Sequence, residues 1–192
     1  MSDANSQSAS LAPERVATLL GRAAVIAVLL LFMVGWLRAM GRPWVCPCGT
    51  VELWQGALTA EENSQQFSDW YSALHVIFGM ALFGFVHAMK PHWATGAKLV
   101  VAVASSAAWE AMENTPVLIE LFSNATNAVP YFGDSILNAI GDTLFVALGF
   151  LAAAKLPAWM TVLIALALEA TIAFAIKDGF VIGTLRLFGV DI

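Results

Sequence analysis

The stretch ILNAIGDTLFVALGFLAAA, residues 136–154, is apolar at most positions but carries Asn138 and Asp142. A run of about 20 apolar residues matches the ~30 Å hydrocarbon core of a bilayer, at a helical rise of about 1.5 Å per residue. An ionisable side chain in hydrocarbon costs a few kcal/mol, so it normally faces a bundle interior and has a partner. The stretch therefore predicts a membrane helix with one polar, inward face.

Four further segments of similar length and apolar character flank this one: Val16–Leu37, Tyr71–Met89, Ala94–Met112 and Pro157–Ile176. The chain is 59% hydrophobic and only 12% charged, with a mean hydropathy of +0.76, which is too apolar for a soluble domain. Backbone groups in lipid must be satisfied internally, and runs of this length suit helices rather than barrel strands. We therefore predict an all-α, polytopic membrane bundle of about five transmembrane helices.

The rest of the chain adds a tail and one long loop. Residues 1–14 are polar and predict a disordered tail, which leaves residues 15–192 as a single helical domain with an extracytoplasmic loop at 38–70. The net charge of −5 and the lack of a basic cluster argue against nucleic acid as a partner. The loop contains apolar residues and Cys46-Pro47-Cys48, so we expect it to fold back as a lid or interfacial helix. The redox state of the two cysteines stays open.

The charges near the first segment predict its orientation. Arg15 and Arg22 precede the apolar core Ala23–Leu37, and no small-x-small cleavage site follows, which favours an uncleaved signal anchor. The 113–133 connection contains no Lys or Arg. Because positive residues favour the cytoplasmic side, we predict a cytoplasmic N-terminus, with 38–70 and 113–133 outside.

Five alternating spans bring several polar residues to one end of the bundle, whichever way the protein is inserted. The start of the second span, the end of the third, the start of the fourth and the end of the fifth share that end. By helical rise, Asp142 lies about 12 Å beyond Asp134, and Glu169 about 10 Å before Ile176. The residues predicted to line one polar pocket are Asp69, His75, Glu110, Glu113, Asn114, Asp134, Asn138, Asp142 and Glu169.

The charge of this pocket requires compensation. Only His75 and Lys177 are evident counter-charges, so bound cations, protonated carboxyl groups or water must balance the acids.

Structural interpretations of the same residues remain open. Asp134 follows Gly133 and precedes a helix, as an N-cap does, and Asn114 stands before Thr115-Pro116, where a helix is expected to stop. His75 is also consistent with a buried, satisfied imidazole. The acids and amide within the spans are consistent with interhelical hydrogen bonds: Glu110, Asn138, Asp142 and Glu169.

Several motifs together resemble a known family. They are Asp69-Trp70-Tyr71-Ser72-x-x-His75, Trp109-Glu110-x-x-Glu113-Asn114-x-Pro116, Tyr131-x-Gly133-Asp134-Ser135-x-x-Asn138-x-x-x-Asp142 and Gly149-Phe150…Leu156-Pro157-x-Trp159. This pattern, over roughly residues 44–186, resembles an uncharacterised family of small multi-pass bacterial inner-membrane proteins, a domain of unknown function. The resemblance implies a location and no activity. A fainter likeness, through Asp134-x-x-x-Asn138-x-x-Gly141, is to VanZ-like membrane proteins.

Two classes of function fit these residues. The favoured one is a non-enzymatic membrane module whose polar pocket binds a lipid headgroup, a cation or a membrane-protein partner. The alternative is a small membrane-embedded hydrolase or transferase acting on a lipid-linked substrate, with acid–base or metal-assisted work by Asp69, His75, Glu110, Glu113 and Asp134. The absence of an evident nucleophile counts against the enzyme, and no motif identifies a cofactor.

Overall fold

The computed structural model describes residues 3–57, 59–125 and 129–190, with side chains described from residue 15 onward. Within these ranges the chain forms seven α-helices and no strands, which confirms the predicted all-helical class. The helices are α1 (Asp3–Ala39), α2 (Ser72–Met89), α3 (Thr95–Glu113), α4 (Pro116–Ser123), α5 (Ile136–Lys155), α6 (Ala158–Ile176) and α7 (Phe180–Leu187). The disordered tail predicted for residues 1–14 falls outside the described side chains.

Four helical segments are long and apolar enough to cross a bilayer: Arg15–Ala39, Ser72–Met89, Ile136–Lys155 and Ala158–Ile176. The fifth predicted span corresponds to α3, which forms over 19 residues but carries several polar side chains and is not among these four. Two of these polar side chains, Lys98 and Glu110, are buried; the Lys98 Nζ lies 2.9 Å from the His87 Nδ1. The polar side of α3 therefore faces protein.

Helix α5 forms the centre of the bundle. Of its apolar window, 56% is buried inside the protein, against 6% for the windows in α1 and α6. Glycines allow α2 and α5 to approach closely: a Cβ added at Gly79 would collide with the Val146 carbonyl oxygen, and one at Gly149 with that of Val76. Small residues at such a crossing let two membrane helices pack backbone against backbone.

The 38–70 segment folds back on the bundle, as predicted, but its described residues between α1 and α2 form turns rather than an interfacial helix. Its carbonyl groups cap the start of α5: Pro43 accepts from the Ile136 N–H at 2.8 Å, and Trp44 from the Leu137 N–H at 3.1 Å. The first N–H groups of a helix lack partners within it, so the segment stabilises this end. A disulfide joins Cys46 to Cys48.

Two eight-residue helices escaped the sequence analysis. Helix α4 lies in the 113–133 connection, and α7 follows a tight turn in which Lys177 and Gly179 have φ values of 57° and 139°. This turn directs the chain back from the end of α6 toward α2. Both short helices contribute to the walls of the functional site.

Candidate functional site

The polar residues gather where α2 and α5 begin and α3 ends. Six of the nine predicted pocket residues are no more than 5% exposed: Asp69, Glu110, Asn114, Asp134, Asn138 and Asp142. His75 and Glu113 are partly buried beside them. Alternating helix directions account for this arrangement, because they bring sequence-distant helix ends to one side.

His75 on α2 lies between two acids from different helices. Its Nδ1 is 3.8 Å from the Glu110 Oε1 on α3, and its Nε2 is 3.6 Å from the Asp142 Oδ2 on α5. The hydroxyl of Ser72 donates to the other oxygen of Asp142 at 3.1 Å. One ligand atom from each of His75, Glu110 and Asp142 lies within 4.8 Å of the others, close enough to hold one metal ion.

Glu110 also belongs to a second group of acids. Its carboxylate, that of Glu113 and that of Asp134 have ligand atoms within 4.8 Å of one another. Glu110 is fully buried, and neither of its carboxylate oxygens has a hydrogen-bond partner among the described residues. We call His75, Glu110, Glu113, Asp134 and Asp142 together the carboxylate cluster. A buried carboxylate without hydrogen bonds requires a proton or a cation.

Asp134 is held in place by well-formed hydrogen bonds. Asn114 donates to its Oδ2 at 2.6 Å and accepts from its backbone N–H at 2.7 Å, and the Tyr131 hydroxyl donates to Oδ1 at 3.0 Å. Burial raises the pKa of Asp134 to about 6, although the bonds from Asn114 and Tyr131 act in the opposite direction. The interpretation of Asp134 as an N-cap was wrong: Ser135 caps α5 by accepting from the Asn138 N–H.

Asp69 lies at the edge of the cluster, just before α2. Its Oδ1 accepts from the Tyr71 N–H at 2.8 Å, while its Oδ2 is buried with no hydrogen-bond partner in the described chain. Burial raises the pKa of Asp69 to about 6, the Tyr71 N–H lowers it, and the nearby charge of Asp134 raises it further. Asp69 therefore adds to the negative charge that the cluster must balance.

Asn114 and Asn138 are positioning residues rather than members of the cluster. Asn114 ends α3 as its C-cap, as predicted, and its amide orients Asp134. The Asn138 amide donates to the Gln66 carbonyl at 2.8 Å. Asn138 thus ties the 38–70 segment to α5.

Glu169 does not join the others. Its carboxylate accepts from the N–H groups of Phe180 and Val181 at 3.2 and 2.9 Å, which caps the start of α7. Its depth along α6 was inferred from helical rise, but rise does not determine which way a side chain points.

Two cationic neighbours of the site were not predicted from the sequence. Arg42, from the loop after α1, donates from Nε to the backbone carbonyl of Asp134 at 2.8 Å. Its charge lowers the pKa of the Asp134 side-chain carboxyl. Arg186 on α7 lies 3.8 Å from Asp178 and is 7% exposed. Lys177, the predicted counter-charge, is exposed. Neither arginine precedes or follows the acids closely in sequence, so spacing gave no signal for them.

A cavity of about 330 Å³ adjoins the carboxylate cluster. Four cluster members contribute to its lining: His75, Glu113, Asp134 and Asp142. The lining also includes Trp109 and, from α7, Arg186. The Tyr71 hydroxyl donates to Asp178 at 3.0 Å, which links α2 to the turn before α7. A small molecule in this cavity would contact acids, a guanidinium group and aromatic rings.

The family profile described as "Protein of unknown function (DUF2585)" matches residues 37–190. The chain belongs to this family. A UPF0314 protein of Sphingopyxis alaskensis is 41% identical over 163 residues, covering 85% of this chain and 87% of that protein. A UPF0314 protein of Novosphingobium aromaticivorans is 37% identical over 192 residues, covering 95% and 92%.

The predicted resemblance to an uncharacterised bacterial family is therefore confirmed. A UPF0314 protein of Rhizobium meliloti is 43% identical over 148 residues, covering 77% of this chain and 75% of that protein. The fainter likeness to VanZ-like proteins finds no support in these comparisons, and no solved structure matches the chain. Bacterial relatives and four apolar helices together indicate a membrane protein.

Proposed function

We propose that this family member is a multi-pass protein of the bacterial inner membrane that binds divalent cations in its carboxylate cluster. Glu110 carries the proposal: it is fully buried, both of its oxygens lack hydrogen-bond partners among the described residues, and it belongs to both groups of ligands.

The donor set indicates the kind of ion. An imidazole nitrogen with carboxylate oxygens suits zinc, manganese or iron better than calcium, whose ligands are oxygens. Two ligand groups that share one carboxylate resemble two-metal sites, in which ions about 3.5–4 Å apart are bridged. Each bound ion would offset up to two negative charges, which removes the cost of burying several acids together.

The orientation belongs to the same proposal. Arg15 and Arg22 flank the first span, and 113–133 lacks Lys and Arg, so the N-terminus is cytoplasmic. α2 and α5 begin at the same end of the bundle, so α3 must carry the chain back across the membrane between them. The carboxylate cluster then opens toward the outer face, where it meets extracytoplasmic cations.

Thermal unfolding in detergent tests the proposal. Protein stripped with a chelator should gain several degrees in Tm when Mn²⁺ or Zn²⁺ is added, since a ligand at 100 times its Kd stabilises by about 2.7 kcal/mol. Glu110→Gln keeps the side-chain shape and removes the shared charge, so it should lose this gain. Glu120→Gln, on the exposed side of α4, is the matched control and should keep it.

A protein whose Tm does not increase with either cation would overturn the proposal. Protonated carboxyl groups that form interhelical hydrogen bonds would then account better for the cluster.

One observation favours a second candidate, a hydrolase or transferase acting on a lipid-linked substrate. The 330 Å³ cavity places space for a substrate directly beside His75, Asp134 and Asp142, where bound cations would polarise it and activate water. Metal-dependent release of phosphate from lipid phosphates by the purified protein would support this candidate. Release that Glu110→Gln leaves unchanged would exclude it.

A further inference from the structure

A groove with a mostly apolar lining lies between α2 and α6. It encloses about 710 Å³, and Ile77, Phe83 and Gly84 of α2 line it opposite Ala165 and Leu166 of α6. A Cβ built at Gly84 meets no heavy atom within 4 Å. The groove is therefore open space bordered mostly by hydrocarbon side chains, with His87 and Glu169 toward its ends.

The length of the groove matches part of a lipid. From Ile77 to His87 along α2, its lining covers ten residue steps, or about 15 Å at a rise of about 1.5 Å per residue. Half of a hydrocarbon core is also about 15 Å thick. An acyl chain, which spans about half of the hydrocarbon core, therefore suits the groove better than a short soluble molecule does.

The groove meets the polar cavity at Phe180. This residue lines both spaces, and Glu169 fixes the start of α7 beneath it by accepting the N–H groups of Phe180 and Val181. On the far side of Phe180 the chemistry changes, because the cavity contains Arg186 and the carboxylate cluster. An apolar groove that adjoins a charged cavity suits an amphiphile.

We propose that the groove holds one acyl chain of a membrane lipid with a phosphate headgroup, and that the headgroup enters the cavity past Phe180. The inference rests on the proposed cation site. Without cations the acids would repel a phosphate, whereas bound divalent cations and Arg186 would attract its oxygens. A lipid can reach the cavity sideways from the bilayer, since the groove opens between α2 and α6.

The test uses metal-loaded protein in detergent micelles, with thermal unfolding as the readout and metal content measured in every sample. Phosphatidylglycerol should raise Tm in a saturable way. Glycerol phosphate, which lacks chains, and diacylglycerol, which lacks phosphate, should each bind at least about tenfold more weakly, since each loses one half of the contacts.

Variants of the groove test where the acyl chain lies. Gly84→Trp fills the groove and should weaken phosphatidylglycerol binding by about tenfold for every two methylene groups displaced. Ala165→Leu narrows the opposite wall and should act in the same direction if Gly84→Trp fails to fold. Gly35→Trp is the matched control, because a Cβ at Gly35 on α1 also meets open space, and it should bind like the parent.

The outcomes separate the two proposals. Bound metal with no response to phosphatidylglycerol would overturn the lipid inference and leave the cation site standing. Absence of bound metal would overturn the proposed function, and with it the headgroup contact. Equal binding of phosphatidylglycerol by Gly84→Trp, Ala165→Leu and the parent would show that the acyl chain lies elsewhere. A Tm increase with glycerol phosphate equal to that with the lipid would show that only the phosphate is recognised.

Discussion

The imidazole of His75 lies between carboxylates of two other helices, with Nδ1 3.8 Å from Glu110 and Nε2 3.6 Å from Asp142. These distances exceed those of a direct hydrogen bond, so the ring is directed at both acids without binding either. A metal ion needs this spacing, because ligand atoms about 2 Å from one ion lie roughly 3–4 Å from each other. The three side chains are thus spaced as metal ligands would be, and not as in a closed hydrogen-bond network.

The pH dependence of stability should report the protonation of Asp69 and Asp134, the two buried acids just outside the spans. Burial raises the pKa values of Asp69 and Asp134 from 3.8 to about 6. Between about pH 4 and 6 the folded chain then binds more protons than the unfolded chain, so stability falls as pH rises through this window. Thermal unfolding of chelator-treated protein from pH 4 to 8 should show this fall.

Asp134→Asn supplies the control, since it removes one of the two titrating groups and should make the slope shallower. A stability that instead rises with pH in both proteins would contradict the raised pKa values.

Divalent-cation affinity should change with pH in the opposite sense. Metal ligands bind as deprotonated carboxylates and neutral imidazole, and protons compete for Asp134 below its pKa of about 6. Titrations with Mn²⁺ at pH 5 and pH 7 should therefore give tighter binding at pH 7. An affinity independent of pH over this range would show that Asp134 does not contribute a ligand atom.

Close packing of α2 on α5 predicts that small changes there are costly. Gly79→Ala or Gly149→Ala places a methyl group against a backbone carbonyl on the facing helix, and we expect a loss of about 3 kcal/mol or more. Gly35→Ala, which enters open space, should be neutral or slightly stabilising because alanine favours helix more than glycine does. Unfolding in denaturing detergent would measure all three, and a mild effect at both tight positions would exclude the close crossing.

Glu169 should be dispensable for cation binding. Its carboxylate caps α7, so Glu169→Gln should lower stability by about 1 kcal/mol or less while the increase in Tm on adding cations persists. If Glu169→Gln abolished the cation response as Glu110→Gln does, the site would have to extend to α6.

Thiol labelling tests the orientation. Cys46 and Cys48 are disulfide-bonded. In cells whose outer membrane has been removed and whose inner membrane is intact, a membrane-impermeant maleimide should therefore label them only after reduction. His92→Cys, in a background with both native cysteines replaced by serine, reports the opposite side and should react only after permeabilisation. The reverse pattern would invert the topology.

Hydropathy was sufficient to predict the long helices because a spanning helix has a length fixed by the bilayer. The predicted boundaries at Met89 and Ile176 coincide with the ends of α2 and α6. Hydropathy could not reveal α4 and α7, because eight residues are too few to span a bilayer. It also did not distinguish α3, whose polar residues are shielded by neighbouring helices, from the more apolar spans.

The site was predictable only in part, for geometric reasons. Alternating spans determine which helix ends share a side, and this brought Glu110, Asp134 and Asp142 to one place. Rotation of a helix about its axis is set by packing, so Glu169 was assigned wrongly to the same pocket. Arg42 and Arg186 approach through loops and turns, whose paths the sequence pattern does not specify.

Elemental analysis of the protein purified without chelator tests the central claim most directly. We expect the parent and Glu120→Gln to retain close to stoichiometric zinc, manganese or iron per chain, and Glu110→Gln to retain far less. A folded parent that holds no more divalent metal than Glu110→Gln, even after incubation with each cation at pH 7, would contradict the cation site.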